Sequence, residues 1–115
     1  MKYYLLLTVC LFGILAHAQT TYSYRVEGEL KDNSLDGKTL YIMRYDDQKI
    51  IDSTQVINQN FVFEGQITSP YFCRIDAGGD YTNFILDKGT TIVNVYTHNS
   101  TGTTLNDALR YTMTT

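Results

Sequence analysis

From residue 22 onward, apolar and polar residues alternate along most of the chain. In the stretch YSYRVEGEL, Tyr24 and Val26 fall on one side of an extended backbone, whereas Arg25 and Glu27 fall on the other. This period of two is typical of a strand with one buried face and one wet face. The same alternation, or a run of β-branched and aromatic residues, predicts strands at residues 22–30, 38–45, 50–57, 61–67, 71–77, 82–87 and 90–97.

Turn-forming residues separate these segments. Asp36-Gly37 and Gly78-Gly79 are strong turn signals, and Asn58 tolerates the left-handed backbone that a tight turn requires. Pro70 is the single proline, and it marks a break because proline cannot donate to a sheet ladder. About seven strands with no helical pattern between them predict an all-β fold, either an antiparallel β-sandwich or an open barrel. We expect this β-sandwich domain to span residues 19–103.

A helix is predicted only at the end of the sequence. Thr104 and Asp107 have the spacing of a capping box, and apolar residues follow at helical spacing from Leu105 onward. We expect residues 104–115 to be the start of a helical connector that leads into a further domain. The alternative is a short protein whose last helix packs back on the sheet.

The first 18 residues are typical of a cleaved signal peptide. Lys2 precedes an apolar run at residues 5–15, and Ala16 and Ala18 place small residues where a signal peptidase cleaves. A transmembrane anchor is the alternative, but the run is shorter than the roughly 20 residues that span a bilayer. Cys10 lies inside the run, so lipid attachment is not expected. We therefore predict an exported protein of the periplasm or cell envelope with no membrane anchor after cleavage.

Composition narrows the possible functions. The chain has 9 Lys and Arg residues against 12 Asp and Glu residues, a net charge of −3, and removal of Lys2 with the signal peptide makes it more negative. No basic patch is expected that would bind nucleic acid. The mature chain would keep one cysteine, Cys73, and one histidine, His98. An intramolecular disulfide and a zinc site of cysteine and histidine alone are therefore both excluded.

Cys73 is the first candidate for chemistry, because a free thiol is unusual in an exported protein. Alternation places it with Tyr71 and Ile75 on the apolar face of its strand. A buried packing role is therefore favoured over a reactive or intermolecular thiol. His98 follows a strand end with no carboxylate close in sequence, which favours a solvated loop histidine over a metal ligand.

Two groups of acids are the next candidates. Asp46, Asp47 and Asp52 lie around one predicted turn, and Asp76 and Asp80 flank a glycine pair. Paired carboxylates can serve hydrolysis or calcium binding. The spacing does not supply the alternating ligands of an EF-hand loop, so solvated turns are the favoured interpretation.

The chain is rich in tyrosine, with 10 such residues, two of them in the predicted signal peptide. Aromatic rings can stack on sugars, but tyrosine is also a common strand residue, so a carbohydrate platform is kept as an alternative. The segment Asn99-Ser100-Thr101 matches a glycosylation sequon, which matters only in a glycosylating host. The tyrosines that share a strand face with an apolar residue are Tyr22, Tyr24, Tyr41 and Tyr45.

Several segments together resemble a known family. They are YRVEGEL, LDGKTLYI, IIDSTQVINQNFVFEGQI, Pro70, NFILDKGTTIVNV and GTTLNDAL. In this order they are similar to the N-terminal β domain of unknown function in many exported thioredoxin-like proteins of the Gram-negative envelope. The resemblance covers nearly all of residues 22–109. Its most specific parts are Asp52-Ser53, Phe61-x-Phe63-x-Gly65 and Leu105-Asn106-Asp107. The family often has Asn-Gly-Lys where this chain has Asn58-Gln59-Asn60.

In the relatives, a helical connector and a TlpA-like or AhpC/TSA-type thioredoxin domain with a Cys-x-x-Cys pair would follow. The resemblance therefore implies no catalytic, cofactor-binding or metal-binding residue in this sequence. It implies a non-catalytic accessory or interaction domain of an exported thiol–disulfide oxidoreductase or peroxiredoxin-type protein, with a protein partner or a thioredoxin-like domain as its contact. A stand-alone envelope protein that binds glycans or peptides is the alternative, and an enzyme that uses Cys73 is a third possibility. The oligomeric state is left open.

Overall fold

The structure, a computed structural model, describes residues 20–114, and it describes the side chains of residues 20–110. The predicted signal peptide, residues 1–18, lies outside the described residues. The strands are β1 (Tyr22–Glu29), β2 (Thr39–Arg44), β3 (Ile50–Gln55), β4 (Asn60–Ile67), β5 (Tyr71–Ala77), β6 (Asp80–Leu86), β7 (Gly89–Asn94) and β8 (Asn99–Thr101), and the helix is α1 (Thr104–Thr114).

These eight strands form two four-stranded sheets. The first sheet has the order β4-β1-β7-β8, and the second has the order β3-β2-β5-β6. Neighbouring strands are antiparallel except β1 and β7, which run parallel. The all-β prediction is confirmed in its sandwich form, since the two sheets do not close into a barrel within residues 20–114. The parallel pair is a difference from the fully antiparallel arrangement that the sequence predicted.

Strand β8 was missed because it has no apolar residue. It pairs with the end of β7, where Thr101 lies opposite Ile92. Its inward residue is Ser100, which is buried and whose hydroxyl donates to Asn106 Oδ1 at 2.9 Å. The buried position of this strand is held by a hydrogen-bonded serine and not by a hydrophobic residue. The strand therefore shows no alternation of apolar and polar residues in the sequence.

The turn between β3 and β4 has the geometry that the sequence predicted. Asn58 and Gln59 both adopt left-handed conformations, with φ of 51° and 66°, and Ile57 and Asn60 bridge the two sides. Two left-handed residues in a two-residue loop match the twist of the flanking strands. Asparagine at the first of these positions lowers the steric cost of positive φ.

The core lies between the two sheets and takes residues from both. Alternate residues of each strand point inward, as the binary pattern predicts. Burial of each large side chain contributes about 1.5–3 kcal/mol of transfer free energy. The hydrophobic side chains with 0–1 % exposure are Val26, Ile42, Val56, Phe61, Phe63, Cys73, Ile75, Phe84, Leu86 and Val95.

Two glycines on the inner face of the first sheet make room for aromatic rings. The β1–β4 register places Gly28 opposite Phe61 and Tyr24 opposite Gly65. A Cβ atom at Gly65 would lie 2.7 Å from Cζ of Tyr24, and one at Gly28 would lie 2.7 Å from the Val93 carbonyl oxygen. Each ring therefore covers a glycine on the opposing strand, which explains why aromatic residues and glycine recur together in these two strands.

Tyr24 also links the two sheets. Its hydroxyl donates to Asp52 Oδ2 on β3 at 2.6 Å, and its ring is buried between the sheets. Burial and the neighbouring Asp52 carboxylate raise the pKa of the Tyr24 phenol above its ordinary value. Asp52 thus serves as the polar partner of a core tyrosine, and it does not join the carboxylates of the preceding turn.

The start of α1 is fastened to the sandwich by Asn106. This residue has no exposed surface, and its side chain bridges α1 to strands β6, β7 and β8. The helix cap is also one residue earlier than predicted. The Thr103 hydroxyl accepts from the Asn106 amide at 3.3 Å, and Asp107 Oδ1 accepts from the Gly102 amide at 3.0 Å. Thr103, rather than Thr104, is therefore the N-cap residue.

The described residues include no helix of the length and hydropathy needed to span a bilayer.

Candidate functional site

The outer surface of the second sheet carries a cluster of exposed aromatic residues. The outward-facing positions of β2, its continuation at Tyr45, β5 and β6 hold Tyr41, Met43, Tyr45, Phe72, Arg74 and Tyr81, and we call this set the aromatic face. Four of these rings are between 38 % and 50 % exposed. The sheet order β2-β5-β6 brings them together from three separate sequence segments.

Four side chains of the aromatic face, Phe72, Tyr45, Arg74 and Tyr81, form a continuous row. The Tyr45 and Phe72 ring centroids are 5.1 Å apart. The Arg74 guanidinium lies 5.5 Å from the Tyr45 ring centroid and 4.3 Å from the Tyr81 ring centroid. His98 continues the row, with its ring centroid 4.9 Å from that of Tyr81. Cation–π contacts of this kind hold Arg74 in one orientation.

Arg74 is further positioned by Asn83 on the adjacent strand. Its Nε donates to Asn83 Oδ1 at 2.8 Å. Within residues 20–110, Arg74 makes no ion pair, and its two terminal nitrogens have no hydrogen-bond partner. The centre of the aromatic face therefore presents an oriented guanidinium whose outer edge is free to bind.

The outer surface of the first sheet is different in character. There Arg25 pairs with Glu27, the Arg25 Nε lying 2.9 Å from the carboxylate oxygen, and it also pairs with Glu64 on β4. The aromatic face contains no lysine and no glutamate. Protein interfaces are enriched in aromatic residues, methionine and arginine and depleted in lysine and glutamate. By this criterion the second sheet carries the interface-like surface and the first sheet carries an ordinary solvated surface.

A concave region of about 350 Å³ lies at one corner of the aromatic face, beside the turn between β2 and β3. Gln48 in this turn adopts a left-handed conformation with φ of 59°. A left-handed backbone is uncommon for a non-glycine residue and costs roughly 1–2 kcal/mol. The lining residues are Met43, Arg44, Tyr45, Gln48, Arg74 and Asp76.

A larger cleft of about 750 Å³ lies at the other sheet, between the start of β1, the β4–β5 connection and the start of α1. Tyr22 and Leu105 on its rim are 43 % and 40 % exposed. The Lys88 Nζ lies over the Tyr22 ring, 5.4 Å from the ring centroid. This distance is within the limit of about 6 Å for a cation–π contact. Tyr22 shares the strand face of Tyr24, as the sequence predicted, and it lies opposite the buried Ile67. Because it stands at the end of β1, its ring lies on the rim of this cleft and not in the core.

Cys73 lies in the core, as predicted. It is fully buried between Phe84 on β6 and Arg44 on β2 in the strand register, and it is a free thiol. Burial raises the pKa of this thiol to about 12. A thiol that is buried and fully protonated at neutral pH is a poor nucleophile, because the thiolate is the reactive form.

The predicted acid groups do not assemble into a site. Asp46 and Asp47 shape the β2–β3 turn, where each carboxylate accepts a backbone amide and lies 3.6 Å from Arg44 Nε. The hydrogen bond from the Lys49 amide lowers the pKa of Asp47 below its ordinary value. Asp76 accepts from the Gly79 amide at 3.0 Å. Residues 20–110 contain no group of three or more His, Cys, Asp or Glu side chains that could hold a metal ion.

His98 and the sequon belong to the edge of the sandwich. The His98 Nδ1 lies 2.5 Å from the Tyr81 carbonyl oxygen, so this nitrogen carries the proton. Asn99-Ser100-Thr101 forms strand β8, and Ser100 is buried. A sequon held in a paired strand lacks the exposed loop geometry that glycosylation sites favour.

Several strand edges are occupied or short. Asn106 binds both the amide and the carbonyl of Ile85 on edge strand β6, and His98 binds the carbonyl of Tyr81 on the same strand. On edge strand β3, the Ser53 amide donates to Asp52 Oδ1 at 2.7 Å. Strand β8 has only three residues. Such features discourage pairing with another strand, so the aromatic face is a better candidate binding surface than the sheet edges.

Sequence reasoning identified Tyr41 and Tyr45 as neighbours of Met43 on one face, which is confirmed. It missed the contribution of Phe72, Arg74 and Tyr81. Their approach to Tyr45 depends on the β2–β5 and β5–β6 pairings, and nothing in the order of residues along the chain indicates which strands become neighbours.

The chain is a small two-sheet β domain that exposes a cluster of aromatic side chains on its second sheet. Residues 24–109 match the family described as a domain of unknown function (DUF4369), and the chain belongs to this family. The match begins within β1, covers β2 to β8 and extends into α1. Neither a curated protein nor a solved structure matches the chain.

Proposed function

We propose that this chain is a non-catalytic accessory domain of an exported cell-envelope protein of the thiol–disulfide oxidoreductase or peroxiredoxin type. In this proposal the domain binds a protein partner through the aromatic face. The association with thioredoxin-like proteins rests on the resemblance of the family motifs, and the binding role rests on the surface of the second sheet. Export to the periplasm or cell envelope is part of the same proposal and rests on the signal-peptide pattern of residues 1–18.

The observation that carries the binding role is the contrast between the two outer sheet surfaces. The second sheet exposes Tyr41, Tyr45 and Phe72 at 43 %, 50 % and 43 %. An isolated domain gains nothing from leaving large rings in water, whereas a partner that covers them removes apolar area from solvent at about 25 cal/mol per Å². Aromatic residues and arginine are also the residue types that most often carry binding energy in interfaces.

The environment of Cys73 supports a role other than thiol chemistry for this domain. The thiol is fully buried, and burial raises its pKa to about 12. Redox-active thiols need a lowered pKa and access to a second sulfur. In the proposed setting, the redox chemistry would belong to the thioredoxin-like protein, and this domain would position that protein or its substrate.

The proposal is tested by direct binding. The mature chain is immobilised, and a purified thioredoxin-like protein exported by the same organism is titrated in its reduced and oxidised forms by biolayer interferometry. We expect saturable binding that Tyr41→Lys weakens by about tenfold or more, because a charge replaces a buried ring at the interface. Tyr41 is suitable because its cross-strand neighbour is the uncharged Ser53.

Ile92→Lys is the matched control for this experiment. Ile92 is 50 % exposed on the outer surface of the first sheet, opposite Glu27, so the same charge is introduced outside the aromatic face. We expect Ile92→Lys to bind like the unmodified chain. Equal weakening by both substitutions, or no saturable binding of any exported thioredoxin-like protein, would contradict the proposal.

The alternative function is a stand-alone envelope protein that binds a glycan or a peptide. The concave region beside Tyr45 favours it, since a half-exposed ring borders several polar side chains there. Binding of a small ligand by the free chain, with no affinity for a thioredoxin-like protein, would favour this alternative.

A further inference from the structure

The concave region beside the β2–β3 turn combines an aromatic floor with separated polar groups. Tyr45 supplies a ring that is 50 % exposed, and Met43 extends the apolar surface beside it. Arg74 and Asp76 line the same volume of about 350 Å³. A volume of this size is at the lower end of small-molecule sites, whose walls are mostly apolar with a few placed polar groups.

The polar groups in this concavity are not paired with each other. Arg74 makes no ion pair with Asp76 or with any other acid in residues 20–110. Asp76 uses one carboxylate oxygen to accept from the Gly79 amide, and its other oxygen has no partner among the described residues. The concavity therefore holds a hydrogen-bond donor, the Arg74 guanidinium, and a hydrogen-bond acceptor, the Asp76 carboxylate, within one small volume.

Gln48 adds a further polar side chain to the lining of the concavity. It adopts φ of 59°, a conformation in which glycine would be strain-free. This conformation belongs to the closed β2–β3 turn, in which the Arg44 amide donates to the Lys49 carbonyl at 2.8 Å and the Gln48 amide donates to the Arg44 carbonyl at 2.9 Å. The turn places Gln48 in the lining together with Tyr45 and Arg74, and its side-chain amide can both donate and accept.

We propose that this concavity is a saccharide-binding site. A neutral sugar ring would stack on the exposed side of Tyr45, with one hydroxyl donating to Asp76 and a neighbouring hydroxyl accepting from Arg74. Gln48 would close the site by bonding a further hydroxyl. The inference rests on the proposed function in one respect, which is that the outer surface of the second sheet is a binding surface.

The charges favour a neutral polyhydroxylated ligand over an ionic one. Arg44 is already engaged by Asp46 and Asp47 at 3.6 Å, so it does not add a free positive charge. The remaining pair, Arg74 and Asp76, has opposite signs, and either a carboxylate or an ammonium ligand would be attracted by one and repelled by the other. A hydroxyl group, which donates and accepts, satisfies both without a net charge.

The test is an NMR titration of the isotopically labelled mature chain with neutral disaccharides, namely cellobiose, maltose and N,N′-diacetylchitobiose, each at up to about 20 mM, in the weak-binding range where the dissociation constant is near 1 mM. We expect at least one of them to shift the resonances of Tyr45, Gln48 and Arg74 saturably. We expect Tyr45→Ala to weaken this binding by about tenfold, or about 1.4 kcal/mol, because the sugar loses the apolar surface on which its C–H groups pack.

Two further variants separate the site from the rest of the surface. Gln48→Gly keeps the left-handed turn and removes the side chain, so we expect folded protein with binding weakened by about threefold or more. Tyr22→Ala removes a ring of the same type from the first sheet, outside the aromatic face and the concavity, and should change the affinity by less than about twofold. No saturable shift at Tyr45, Gln48 and Arg74 with any of the three sugars, or equal binding by the Tyr45→Ala chain, would overturn the inference.

The same variants distinguish failure of this inference from failure of the proposed function. If no sugar binds while Tyr41→Lys still weakens binding of the thioredoxin-like protein, the saccharide site is wrong and the protein-binding face stands. If sugars bind at Tyr45 but no thioredoxin-like protein binds, the inference stands and the accessory role is wrong. If neither ligand binds, both are wrong.

Discussion

The Cys73 thiol lies between the two sheets with no exposed surface, and burial raises its pKa from an ordinary 9.0 to about 12. The unfolded chain would therefore lose this proton at a lower pH than the folded chain. Between these two pKa values the unfolded state binds fewer protons, so the free energy of unfolding falls as the pH rises. Below pH 9 both states keep the proton, and the stabilisation is fully present.

We predict that the free energy of unfolding falls by about 1 kcal/mol between pH 8 and pH 10 through this thiol alone. Urea unfolding at the two pH values measures the change, and Cys73→Ala is the comparison because it removes the titrating group. The slope should largely disappear in that variant. An alkaline slope that persists unchanged after the substitution would show that Cys73 is not its source. The Tyr24 phenol, whose pKa is also raised, contributes only at higher pH, as its ordinary value is 10.0.

Residue types that suggest chemistry are used here for packing and folding. Asp52 accepts the Tyr24 hydroxyl, Gly65 leaves room for the Tyr24 ring, and Asn106 joins the helix to the sheets. The three motifs that carry the family resemblance contain these residues. These motifs therefore lie at positions where the fold requires a particular residue type.

At the scale of secondary structure, the join between α1 and edge strand β6 depends on one side-chain amide. Asn106 Oδ1 accepts from the Ile85 amide at 2.8 Å, and Asn106 Nδ2 donates to the Ile85 carbonyl at 2.7 Å. This pair of bonds imitates the pairing of a neighbouring strand. Because the Ile85 amide only donates and its carbonyl only accepts, the orientation of the Asn106 amide is determined.

We predict that Asn106→Ala lowers the free energy of unfolding by about 3 kcal/mol, because buried donors and acceptors on Ile85, Ser100 and Thr103 lose their partner. Urea unfolding measures the loss, and hydrogen exchange of the Ile85 amide gives a local readout. Asn33→Ala, in an exposed turn, is the control and should change stability by less than about 0.5 kcal/mol. A loss below about 1 kcal/mol in Asn106→Ala, with Ile85 still protected, would contradict this role.

The elements themselves could be predicted to different degrees. The strands β1, β4, β5 and β6 follow from alternation, and the β3–β4 turn follows from Asn58. Strand β8 could not be predicted, since its buried residue is a serine whose burial depends on Asn106. The helix was predicted, but its N-cap was placed at Thr104, whose spacing to Asp107 is that of a capping box. Thr103 has the same side chain, so the sequence alone did not show that it is the N-cap residue.

The aromatic face was beyond sequence reasoning for a related reason. Alternation shows that Tyr41, Met43 and Tyr45 share one face of β2, but it does not show whether that face is inside or outside. Burial of Ile42 sets the other face inward, and the sheet order then brings Arg74 beside Met43. Neighbour relations between distant strands are set by the packing of the whole chain.

At the scale of the whole molecule, polar contacts hold the two sheets together on both sides of the apolar core. The Tyr24–Asp52 bond joins β1 to β3 on one side. Asn106 joins β6 to β7 and β8 on the other. The core supplies most of the stabilising free energy, and these bonds fix how the sheets align. The start of α1 is thus a structural part of the sandwich.

This arrangement leads to a prediction about the domain boundary. The sequence placed the end of the sandwich at residue 103, but a chain that ends there lacks Asn106. We expect the chain of residues 19–103 to lose about 3 kcal/mol or more, or to remain unfolded, because Ile85, Thr91 and Ser100 are left with unpaired polar groups. The chain of residues 19–110 keeps these contacts and should retain most of the stability. Urea unfolding of the two chains beside that of residues 19–115 measures the difference, and the slope of each transition reports how much surface is exposed. If residues 19–103 unfold with the same midpoint and slope as residues 19–115, the whole helix is an appended connector and Asn106 does not hold the sheets together.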